Sequence, residues 1–212
     1  MRLYIATPSY DGKVTLDYCT SLVKTVKILE GLGIEITIGN KPGDCYIPKA
    51  RNNLVRNFLE TDCTHILFID ADVGWDATKT AKVVQSGYDI CLGAYPMKLD
   101  YEKYPIGYLT DNDKPIMEGD YLRINMGPTG FMCIKREVFD ALDVAEYMAD
   151  DGHKEKDYFK CGVFQGRWWG EDSDFCRLVI SAGFEMWCYT DIDFKHTGVE
   201  VWEGNCKRKL CE

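Results

Sequence analysis

The chain has 212 residues, a formal net charge of −9, 46% hydrophobic residues and 28% charged residues. That length suits one well-buried α/β domain, and the composition excludes a largely disordered chain. The acidic balance, with no basic stripe, argues against nucleic-acid binding.

No apolar run approaches the roughly 20 residues of a membrane span, and the chain opens directly on a strand-like segment instead of a leader. A soluble, cytoplasmic protein is therefore expected. The basic run Lys207-Arg208-Lys209 is too short to argue a membrane surface. Ten cysteines are scattered without a C-x-x-C pair, so free thiols are expected rather than a disulfide framework or zinc site. Cys19, Cys91, Cys133, Cys176 and Cys188 fall where a small core residue would serve. Cys206 and Cys211 form a close pair in the polar tail.

In chain order, Leu3 to Ala6 reads as a buried strand, ended by the Pro- and Gly-containing loop Thr7 to Gly12. A helix follows, with Leu16, Cys19, Leu22, Val23, Val26 and Leu29 as its apolar face and Gly31 or Gly33 as its stop. Ile34 to Ile38 alternates as a strand does, and Gly39 to Tyr46 is loop-like. A second helix begins near Pro48, a favourable first-turn residue, and runs to Leu59. The apolar strand Ile66 to Ile69 is followed at once by Asp70-Ala71-Asp72, then a helix near Ala77 to Ser86 and a strand from Ile90 to Gly93. Such alternation predicts a mostly parallel sheet with helices on both faces, whose ligands sit at the carboxyl ends of the strands.

The stretch from Tyr95 to Asn125 is expected to add short antiparallel pieces. Gly127 to Gly130 is a sharp loop into a strand at Phe131 to Ile134, with a helix after it. Ala149 to Gly166 reads as a polar, mobile loop able to close over a site. Trp168-Trp169-Gly170-Glu171-Asp172 opens a helix ended by Gly183. A strand from Phe184 to Tyr189 comes next, and Asp193 to Gly198 reads as a final loop.

Chemistry concentrates in a few places. In extended backbone residues i and i+2 share a side, so Asp70 and Asp72 are expected to converge and to attract a hard divalent cation able to bridge to phosphate. Carboxylates Glu171 and Asp172 are also favoured at a helix start by its dipole, so their chemical and structural readings both stand.

The ordered series of Asp70-Ala71-Asp72 after a central strand, Thr129-Gly130 before Phe131, Gly170-Glu171-Asp172 and a late His196 resembles the nucleotide-sugar glycosyltransferases of the GT-A fold. The compact length is similar to the small glycosyltransferase domain of chloroviruses. The resemblance spans nearly the whole chain. It implies one α/β, Rossmann-like GT-A domain over residues 1–212, with a nucleotide-binding half at 1–95 and a donor-sugar and acceptor half at 96–212.

It further implies that Asp72 ligates a metal directly, that Asp70 touches the ribose or the metal, and that His196 adds an imidazole ligand. The metal expected is Mn²⁺, with Mg²⁺ the other possibility. Thr7, Pro8, Ser9 and Tyr10 would hold the nucleotide base, with Arg51 and Asn52 on the same rim. Asp172, with Glu171, would be the catalytic carboxylate. Gly130, Trp168 and Trp169 would face the donor sugar or the acceptor.

The reaction so implied moves a hexose or deoxyhexose from a UDP-sugar, UDP-glucose or UDP-rhamnose, to a glycan hydroxyl. Two rivals stand beside it: a sugar-phosphate nucleotidyltransferase, and a non-catalytic carbohydrate-binding protein of the same fold.

Overall fold

Strand β1 (Arg2–Ser9) buries both its faces, because alternate side chains enter two separate apolar clusters. Tyr4 and Ala6 join Leu54, Phe58, Phe68, Phe139 and Phe175 on one side, while Leu3 and Ile5 join Leu29, Leu67, Phe131 and Phe194 on the other. A strand buried twice over belongs at the middle of a three-layer α/β structure. The computed structural model of the protein describes residues 1–210; Cys211, one half of the tail pair, lies outside them.

After β1 come α1 (Leu16–Gly31), β2 (Glu35–Pro42), α2 (Ile47–Leu59), β3 (His65–Ile69), β4 (Val73–Trp75), α3 (Thr80–Val84) and β5 (Ile90–Gly93). Four two-residue strands follow: β6 (Gly107–Tyr108), β7 (Thr110–Asp111), β8 (Lys114–Pro115) and β9 (Met117–Glu118). Next are β10 (Tyr121–Met126), β11 (Phe131–Lys135) and α4 (Arg136–Ala141), then the strand pairs β12 (Glu146–Met148) with β13 (Lys154–Lys156) and β14 (Gly162–Phe164) with β15 (Arg167–Trp169). The described chain closes with α5 (Glu171–Ser181), β16 (Met186–Tyr189), β17 (Asp193–Thr197), β18 (Val201–Asn205) and α6 (Cys206–Leu210).

The main sheet runs β2-β1-β3-β11-β5-β16-β10-β6, with β9 also on β10. Only β10 and β11 run against the others, so the sheet is mostly parallel with antiparallel additions, as expected. Among the described residues no helix is long and apolar enough to cross a membrane.

Several expectations need correction. Asp193 to Gly198 is largely a strand: β17 pairs with β18 and with β4, which makes a small second sheet. Phe194 packs inward while Lys195 points out, a period of two too short to separate from a loop by sequence. Helix α1 buries Tyr18, Ser21, Thr25 and Leu29, whereas Leu16 and Val23 are exposed and Cys19 is not in the core. Its polar pair serves Trp75: Thr25 Oγ1 accepts from the indole N–H at 2.9 Å, and Ser21 Oγ donates to the Trp75 carbonyl at 2.8 Å. Cys91, Cys133, Cys176 and Cys188 are buried and free.

The expected mobile stretch 149–166 divides in two. Its first part is fastened to α2 through Lys49 to Asp150 (2.7 Å), Arg56 to Asp151 (3.0 Å) and Asn53 to the buried Glu155 (2.8 Å). Its second part enters the β14–β15 hairpin, which turns at Gln165 and Gly166, both with positive φ.

Candidate active site

The strand ends collect acidic groups where three elements meet. Strand β3 stops at Ile69, and the Asp70 carbonyl accepts from Val73 N–H at 3.1 Å, so Asp70 to Val73 is a turn. The i, i+2 rule for extended backbone therefore lapses here, and the two aspartates face different partners. Asp70 accepts from Arg51 Nη2 at 3.0 Å and from the Tyr95 hydroxyl at 3.1 Å. Asp72 accepts from Lys98 Nζ at 2.5 Å on Oδ2, the same oxygen that lies 3.6 Å from His196 Nε2. Asp70 and Asp72 thus line the same cleft through different hydrogen-bond partners. Among the described residues no group of three His, Cys, Asp or Glu side chains is arranged to hold a metal ion.

Arg51 is the centre of the first cluster. It is not on an exposed rim: it is 2% exposed, carried into the interior by α2 with Phe68 beneath its guanidinium at 5.6 Å. Besides Asp70, it has Glu171 Oε1 at 3.8 Å from Nε and Asp172 Oδ1 at 4.0 Å from Nη2. Its Nε and Nη1 are buried and make no hydrogen bond. Burial opposes the charge on Arg51, but Asp70, Asp172 and Glu171 outweigh it and hold the guanidinium above its ordinary range.

Asp172 sits in the first turn of α5 and accepts from the Thr129 backbone N–H at 3.3 Å and from the Thr129 hydroxyl. Burial pushes its carboxyl up to about 6; Arg51 works against that rise and Glu171 adds to it. Gly130 makes the crowding possible. A Cβ there would lie 2.2 Å from Asp70 Oδ2 and 2.3 Å from the Tyr95 hydroxyl, and the Gly130 carbonyl accepts from Asp70 N–H at 3.0 Å.

The second cluster is more open. His196 Nδ1 bonds the Pro96 carbonyl at 2.9 Å. A carbonyl only accepts, so Nδ1 carries a hydrogen, and the other ring nitrogen, Nε2, faces Asp72 Oδ2 at 3.6 Å. Burial raises the Asp72 carboxyl, yet His196 and Lys98 overcome it and bring it down to about 2.

A carboxylate oxygen and an imidazole nitrogen are both donors of the kind that divalent metal ions accept. Arg51, Asp70, Glu171 and Asp172 of the first cluster and Asp72 of the second line one cleft of about 610 Å³ together with Ser9, Tyr10 and Lys13 of the first loop; His196 and Lys98 are not part of its lining.

The remaining expected residues divide. Pro8, Ser9 and Tyr10 line that cleft, and Tyr10 is 70% exposed. Thr7 is buried, bonded to the Tyr18 hydroxyl at 2.5 Å, and borders a neighbouring cavity of about 280 Å³. Asn52 points the other way: its amide holds Phe159 N–H at 2.9 Å, the Phe159 carbonyl at 3.1 Å and Asp157 at 3.1 Å. Trp168 is 66% exposed on the β14–β15 hairpin, opposite Val163, and Trp169 donates its indole N–H to the Phe164 carbonyl at 3.2 Å. Neither tryptophan lines the cleft.

Sequence reading missed Tyr95, Pro96 and Lys98, and it gave Thr129 no role beyond its place before Gly130. The only signal for the first three was a lysine and a tyrosine near a proline in a stretch without periodicity.

No protein-family model matches the chain, and no curated protein matches it. Among solved structures it is similar to the inositol-1-phosphate CTP transferase from T. maritima, at 14% identity over 87% of this chain and 84% of that chain, with a TM-score of 0.39. The fold defines the class: a mixed α/β domain with a mostly parallel central sheet.

Proposed function

We propose that the protein is a metal-dependent glycosyltransferase that moves a hexose or deoxyhexose from a UDP-sugar to a glycan hydroxyl. One observation supports the reading: a single cleft is lined both by Asp72, a carboxylate with the His196 imidazole 3.6 Å away, and by Asp172, a carboxyl held above its ordinary range. Asp72 and His196 would hold a divalent ion, Mn²⁺ or Mg²⁺, which would supply charge neutralisation for the departing diphosphate.

The chain's own groups do the rest. The first loop, with Pro8, Ser9 and the exposed ring of Tyr10, offers backbone groups and a stacking surface to the uracil. Asp70 is held in place by its hydrogen bonds from Arg51 and Tyr95, and it accepts from sugar or ribose hydroxyls. Arg51 supplies a fixed positive charge at the cleft wall, shared among Asp70, Glu171 and Asp172. Asp172, poised near neutrality, takes the acceptor proton as the anomeric carbon is attacked, and Glu171 holds its charge environment. The Val163 and Trp168 face of the hairpin leading into α5 offers a platform to the acceptor glycan.

A sugar-phosphate nucleotidyltransferase is the second reading, favoured by Gly12 (φ +72°) followed by Lys13 at the cleft mouth, a turn glycine and cation that a nucleoside triphosphate would also use. Incubation with a panel of UDP-sugars and, separately, with sugar 1-phosphates plus UTP or CTP separates the two. Release of UDP in the first panel is expected. Pyrophosphate release in the second, with none of UDP in the first, would establish the alternative.

A further inference from the structure

One short segment reaches every residue of the two clusters that sequence reading had assigned to a metal. Tyr95 donates to Asp70, the Pro96 carbonyl holds His196 Nδ1, and Lys98 Nζ lies on Asp72. The segment is itself fixed: Met97 N–H donates to the Lys103 carbonyl at 2.8 Å, and Leu99 N–H to the Met97 carbonyl at 2.9 Å. The aliphatic stem of Lys98 crosses the β17–β18 hairpin at Gly198, where a Cβ would meet Lys98 Cδ at 3.2 Å and Trp202 at 3.0 Å. This seat directs a flexible four-carbon chain at one oxygen, and that oxygen also faces the imidazole.

We propose that Lys98 is the resident cation of this site. It neutralises Asp72 while the cleft is empty, yields Asp72 Oδ2 to the incoming divalent ion, and then places its ammonium on the donor diphosphate. A divalent ion between Asp72 and His196 would take the same carboxylate oxygen that carries the Lys98 ammonium, and two cations on one oxygen repel strongly in a partly buried site. The lysine must move for the ion to bind, and the nearest new negative charge is the phosphate that arrives with the metal. The proposal rests on the functional reading above, because it assumes that a divalent ion and a diphosphate enter the cleft.

Calorimetric titration of Mn²⁺ into the full chain, without nucleotide, tests the first half. Lys98→Met should bind Mn²⁺ about fivefold tighter than the wild type, the scale expected for a partly exposed ion pair. Lys98→Arg, which keeps the charge, should stay within about twofold of wild type. Unchanged affinity in Lys98→Met, or equal tightening in Lys98→Arg, would overturn the proposal while leaving the metal reading in place, provided that Asp72→Asn abolishes uptake. No Mn²⁺ uptake by any of these proteins would reject the metal reading itself, and this proposal with it. UDP titrated at saturating Mn²⁺ tests the second half: Lys98→Met should bind it several-fold more weakly, and equal affinity would refute a diphosphate contact.

Discussion

The two ends of the cleft handle negative charge in opposite ways. At one end Asp70, Glu171 and Asp172 surround a single guanidinium that is almost wholly buried, so three carboxylates share one fixed cation and negative charge is left over. At the other end Asp72 meets the partly exposed Lys98 ammonium and the largely buried His196 imidazole. The first arrangement raises a carboxyl towards neutrality; the second drives one down to about 2. A proton acceptor belongs where charge is in excess and hard to solvate. A cation site belongs where a carboxylate is reliably ionised and its counter-ion can leave.

That contrast sets the largest expected effect. Asp172→Asn keeps the shape and removes the base, so transfer to an acceptor should fall about 100-fold or more in a folded protein, measured as the acceptor-dependent rate of UDP release. In the wild type the same rate should rise as pH increases through about 6, because only the ionised carboxylate accepts a proton, and this limb should vanish in the variant. Stability carries the opposite sign. Folding favours the protonated form of Asp172, so its contribution is complete below its ordinary value of 3.8 and is lost as pH rises through about 6.

Arg51→Met sharpens the comparison from the buried side. Removing the cation strands three carboxylates, and unfolding by urea at neutral pH should show a loss of about 3 kcal/mol. The loss should shrink as pH falls through the carboxylate range. An equal loss at all pH values would assign Arg51 to packing on Phe68 alone. The smallest effect is expected outside both clusters: Trp168→Ala, on an exposed hairpin face, should change stability by less than about 0.5 kcal/mol while raising KM for the acceptor and leaving donor hydrolysis unchanged.

Much of this was legible from sequence because the relevant patterns are local. The strand Ile66 to Ile69 and the acidic residues after it, the proline at the start of α2, and Glu171 with Asp172 at a helix start each declare themselves within a few residues. What failed depended on geometry between distant segments. The i, i+2 argument could not see that the chain turns at Asp70, which sends the two aspartates to different partners. Arg51 and Asn52 are adjacent in a helix, yet one enters the cleft and the other secures Phe159, since neighbouring helical positions point about 100° apart. Lys98 was invisible because its place beside Asp72 is set by Gly198, 100 residues later.

The most direct test of the account compares Mn²⁺-dependent turnover of a UDP-sugar by the wild type and by Asp72→Ala, with folding of both checked by circular dichroism. The expected result is a loss of at least about two orders of magnitude, in keeping with the charge stabilisation that a catalytic metal supplies. Equal turnover by the two folded proteins would contradict the role assigned to Asp72 and the metal-dependent mechanism built on it.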